Sequence, residues 1–116
     1  MDTKDLFTNL VLAANVDGEL ALPERLLLDH YARRCKLNFL EAQKIIDAVR
    51  NGERTRLAKP KSPEARRELY RAFVRIVRAD KKITSKEQLF LRRVGNLLGI
   101  DEALMQQSLS PSGLSE

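Results

Sequence analysis

Apolar residues recur along this chain with a helical period, and strand-type alternation is almost absent. Leu6, Phe7, Leu10, Val11 and Ala14 fall at i, i+1, i+4, i+5 and i+8, one stripe of an amphipathic helix. Thr3 is its expected N-cap, Asp5 suits the positive end of the helix dipole, and Asp17-Gly18 stops the helix with a turn. A second helix starts near Leu22, with Pro23 in its first turn. Leu26, Leu27, Leu28, Tyr31, Ala32 and Cys35 give it a broad apolar face, which predicts a central position. Asn38 and Glu41 have the capping-box spacing. The helix they open turns Ala42, Ile45, Ile46 and Val49 inward and ends at Asn51-Gly52.

Residues 51–62 form the one long connection, with Pro60 and Pro63 keeping regular helix out of it. Ser62-Pro63-Glu64 then starts a fourth helix, with Leu69, Ala72, Phe73, Ile76 and Val77 on one side. Thr84 caps a fifth, with Glu87 at the capping-box position and Gly99 at its end. Asp101 caps a short sixth helix to about Leu109, and residues 110–116 read as a disordered tail.

The pattern repeats at a constant offset of 63, which sets Leu6 on Leu69, Leu10 on Phe73, Asp17 on Asp80, Glu24 on Glu87 and Asn38 on Asp101. The expected fold is all-α. About six helices form two pseudo-symmetric helix–turn–helix–helix repeats, about 3–51 and 62–109, packed as one domain over residues 1–109. Two copies make a closed domain rather than a solenoid, which needs three or more.

Charge refines this picture. The net charge is +5, but residues 1–49 carry 6 basic and 8 acidic side chains, and residues 50–82 carry 12 basic and 4 acidic. Any anionic partner therefore belongs to the middle third. Arg67, Arg71, Arg75 and Arg78 fall at i, i+4, i+8 and i+11 along the fourth helix, and Lys81 and Lys82 follow. That stripe reads as a solvated face, with Arg71 near Glu68 and Arg67 near Glu64, or as a docking surface for an acidic protein, an anionic lipid or a nucleic acid. Only Tyr70 is interleaved among the arginines, so stacking on bases has little support.

The remaining chemistry is sparse. His30 and Cys35, the only histidine and cysteine, stand five apart, about 140° around a helix, and share no face. No phosphate loop, zinc spacing or nucleophile elbow is present, so no enzymatic activity and no small-molecule substrate are expected. One unpaired cysteine, no signal-like start and no long apolar run predict a cytoplasmic chain without a transmembrane segment.

The two turn-to-helix junctions carry the remaining signal. Asp17-Gly18 with Glu24, and Asp80 with Glu87, resemble the TerB-like, tellurite-resistance family over roughly residues 3–107. That family is all-helical and built from two such halves. The resemblance implies a non-enzymatic stress-response or interaction module with protein partners. It also implies divalent-cation binding, calcium in particular, through Asp17, Glu24, Asp80 and Glu87. Turn formation by the aspartates and capping by the glutamates account for the same residue types without any ligand. Lys81 and Lys82 follow Asp80, so the first copy is expected to lead any carboxylate locus. The alternative function is an anion-docking adaptor working through residues 50–82.

Overall fold

Local cap chemistry sets most of the helix ends. The structure, a computed structural model, describes residues 2–16, 18, 20–79 and 83–109, the side chains of Ser108 and Leu109 excepted. The helices are α1 (Thr3–Ala14), α2 (Leu22–Arg34), α3 (Phe39–Arg50), α4 (Pro63–Val77), α5 (Ser85–Leu98) and α6 (Glu102–Leu109). No strand occurs among the described residues. Ser62 Oγ accepts from the Ala65 N–H at 3.1 Å, and Asn38 Oδ1 accepts from the Glu41 N–H at 2.8 Å, as the sequence implies. The cap of α1 is Asp2 rather than Thr3, its Oδ1 accepting from the Lys4 N–H at 3.0 Å. Both residue types cap well, and pattern alone does not choose between neighbours. The expected tail, 110–116, lies outside the described residues.

α1 and α4 pack against each other and supply nearly half of the core. Phe7, Leu10, Val11, Ala13 and Ala14 come from α1; Leu69, Tyr70, Ala72, Phe73, Ile76 and Val77 come from α4. α2 lies against both, α3 against α1, α5 against α4, and α6 against α5. α2 thus lies between α1 and α4, as its broad apolar face predicts, but its neighbours cover only part of that face. Leu28, Tyr31, Ala32 and Cys35 face the core, while Leu26 is 59% exposed. Three successive leucines span about 200° of a helix, more than one neighbouring face can cover.

One contact has no local signature. Asn9 is wholly buried on the apolar face of α1. Its Nδ2 donates to the Ala58 carbonyl at 2.8 Å, and its Oδ1 accepts from the Ala58 N–H at 2.9 Å. This pair of hydrogen bonds to one residue straps the 51–62 connection onto α1. Arg66 holds the other end, donating through Nε to the Pro60 carbonyl at 2.8 Å and through Nη2 to the Lys61 carbonyl at 3.1 Å.

The starts of α2 and α5, Leu22 and Ser85, keep the offset of 63, as do those of α3 and α6, Phe39 and Glu102. The ends of α2 and α5 also correspond. The Leu37 N–H bonds the Ala32 carbonyl and the Lys36 N–H bonds the Arg33 carbonyl; Ile100 with Gly95 and Gly99 with Asn96 repeat the pattern. This is a Schellman termination, which places one residue in the left-handed region. Packing is less regular than the offset, since α1 lies as closely against α3 as against α4 while α6 rests on α5. The duplication with its pseudo-two-fold axis therefore stays a proposal.

The left-handed position is Gly99 in one half, at φ 69°, and Lys36 in the other, at φ 59°. A side chain there costs about 1–2 kcal/mol, offset in part by the larger unfolded-state entropy of glycine. Lys36→Gly is expected to stabilise the protein by about 0.5–1 kcal/mol, seen as a higher urea midpoint. A lower midpoint would show that the Lys36 side chain contributes more than its backbone costs.

Candidate cation locus

Three helices carry a glutamate at the third position of the first turn, where a carboxylate caps the preceding N–H. In α2, Glu24 Oε1 accepts from the Ala21 N–H at 3.2 Å; Ala21 has no side-chain acceptor to return the bond. In α5, Glu87 Oε1 accepts from the Thr84 N–H at 2.9 Å and Thr84 Oγ1 accepts from the Glu87 N–H at 3.1 Å. In α3, Glu41 Oε1 accepts from the Asn38 N–H at 3.0 Å.

The cap geometry is shared, but the burial is not. Glu41 keeps 39% of its side-chain surface and lies 3.6 Å from Lys4 Nζ. Glu24 and Glu87 retain only 4% and 2% of theirs as whole residues. Capping does not require that burial, as Glu41 shows. A carboxylate is costly to bury unless it is hydrogen-bonded, paired or coordinating a metal. Of the four acidic residues singled out in the sequence, the structure describes these two; Asp17 and Asp80 lie outside the described residues. Among the described residues no three His, Cys, Asp or Glu side chains gather into a metal-binding group.

The basic residues divide. Arg67, Arg71 and Arg75 are exposed on α4, whereas Arg78, at its C-cap, is half-buried. Burial lowers the Arg78 pKa, with Tyr70 acting in the opposite sense. Arg71 Nη1 pairs with Glu68 Oε1 at 3.3 Å, the i, i+3 partner expected for it. Arg67 makes no ion pair among the described residues. Arg75 Nη1 donates to Tyr31 Oη at 3.3 Å, a link to α2 that the stripe did not foretell. Lys81 and Lys82 lie outside the described residues.

A family model described as tellurite resistance protein TerB matches residues 3–108, nearly the whole chain. The chain belongs to the TerB family. Among curated proteins and solved structures, none matches it significantly. TerB membership accords with the all-helical fold. No described helix is long and apolar enough to cross a membrane. His30 is exposed and stacks edge-on against Tyr31, with ring centroids 5.6 Å apart. The buried Cys35 thiol is pushed up by burial and drawn down less by Arg34, which keeps thiolate scarce at neutral pH.

Proposed function

We propose that this TerB-family chain is a non-enzymatic interaction module of the cytoplasmic stress response. Its two acidic junctions, Asp17 with Glu24 and Asp80 with Glu87, weakly hold a divalent cation such as calcium and present that locus to a protein partner. The observation that carries the reading is the burial of Glu24 and Glu87, set against the partly exposed Glu41 in the same capping role. Calcium takes several oxygen ligands, and carboxylates supply the charge it needs. Docking of an anionic surface on residues 50–82 is the weaker reading. Arg71 is paired with Glu68, Arg66 is folded onto the connection, and Arg78 is half-buried.

Melting in chelator and in millimolar calcium tests the proposal. At ten times Kd a single site adds about 1.4 kcal/mol, a rise of roughly 5 °C. Glu24→Gln with Glu87→Gln keeps an oxygen for each cap bond and removes the charges, so this variant is expected to lose the calcium increment. No rise in the unmodified protein, or an equal rise in the variant, would overturn the cation reading.

A further inference from the structure

A cavity of about 440 Å3 opens where the start of α1, the end of α2, α4 and Pro60 meet. It lies within the roughly 300–1,000 Å3 range of small-molecule sites. Its apolar lining comes chiefly from Leu6, Leu10, Pro60, Leu69 and Ala72, with the buried Cys35 beside them. Two arginines, Arg34 of α2 and Arg75 of α4, also line it. Neither has a carboxylate partner among the described residues, and Arg75 donates one bond, to Tyr31 Oη. Glu68 lines the cavity too, with its Oε1 on Arg71. Hydrocarbon walls with two arginines brought from separate helices match a ligand with an aliphatic tail and a single planar anionic head. An arginine fork fits a carboxylate in two parallel bonds.

We infer that this cavity binds a medium-chain aliphatic carboxylate, its head on Arg34 and Arg75 and its tail against Leu6, Leu10 and Leu69. The ligand is held, not transformed, and the site is separate from the acidic junctions. Binding is therefore expected in the presence of chelator.

Titration of the full chain with hexanoate, octanoate and decanoate below their micelle concentrations, followed by NMR, tests the inference. Shifts are expected at Leu6, Cys35 and Leu69, with affinity rising about fourfold per methylene until the cavity fills. Decanol, which lacks the charge, is expected to bind at least tenfold more weakly. Arg34→Gln with Arg75→Gln is expected to reduce decanoate affinity at least tenfold. Ala65→Trp, at an exposed lining position, is expected to block entry without disturbing the core. Absence of shifts at the cavity, equal binding of decanol, or unchanged decanoate affinity in either folded variant would overturn the inference.

Discussion

Replacing Asn9 with leucine is expected to cost about 2–4 kcal/mol and to release the 51–62 connection from α1. Leucine has the same number and branching of side-chain heavy atoms as asparagine, so no cavity opens. What changes is that the Ala58 N–H and carbonyl, now bonded at 2.9 and 2.8 Å, lose both partners at once. A hydrogen bond in place adds only about 0.5–1.5 kcal/mol net, but a donor or acceptor orphaned away from water costs about 1–3 kcal/mol. Ala58 is half-buried, so water recovers part of that cost. The melting temperature should fall by roughly 10–15 °C. Amide exchange should speed up most between residues 54 and 61. A fall below about 2 °C with unchanged exchange would show that the Arg66 bonds alone hold the connection.

Gly95→Val is the second large effect, expected at about 2–4 kcal/mol. Gly95 stands inside α5, where glycine is about 1 kcal/mol worse than alanine. Propensity alone would therefore predict a gain from any side chain. Packing reverses this. A Cβ at position 95 would collide with Met105 Sδ, lie 2.9 Å from Met105 Cγ and come within 3.4 Å of a Tyr70 ring carbon. Met105 is 2% exposed and Tyr70 fully buried, so neither can turn outward freely. Valine is expected to push Met105 off and undock α6. An exposed Arg92–Glu102 pair at 2.6 Å also ties α6 to α5. That bond, with a second from Gln106, holds the Glu102 carboxyl below the usual carboxylate range. An exposed pair contributes too little to hold a helix by itself. Urea unfolding gives the cost, and amide exchange in α6 gives the undocking. Gly95→Val as stable as the parent would mean that the α5–α6 contact relaxes without loss.

What the sequence made legible was local. Asn38 with Glu41, Thr84 with Glu87, Ser62 before Pro63, and Gly99 after α5 each announce a helix end within four residues, and each forms as read. The alternation of apolar and polar positions likewise located α1 and α4, whose stripes are continuous. What stayed hidden was set by distant packing. The Asn9 strap joins residues 49 apart. The exposure of Leu26 depends on how much of α2 its neighbours cover. Arg34 and Arg75 line one cavity from different helices, with no shared period to link them.

The candidate site was half legible for the same reason. Position three of a helix marks Glu24, Glu41 and Glu87 alike as caps, and the cap position does not foretell which of them is buried. Only the assembled core buries two and leaves the third partly in water. Burial therefore singles out the two glutamates that stand seven residues after an aspartate, Asp17 and Asp80.

The most direct measurement is a calcium titration of the 15N-labelled chain, read residue by residue. The account predicts saturable shifts clustered at residues 17–24 and 80–87, larger in the first segment because Lys81 and Lys82 oppose a cation in the second. Shifts absent from both segments at millimolar calcium, or scattered over surface carboxylates such as Glu41 and Glu102, would contradict it.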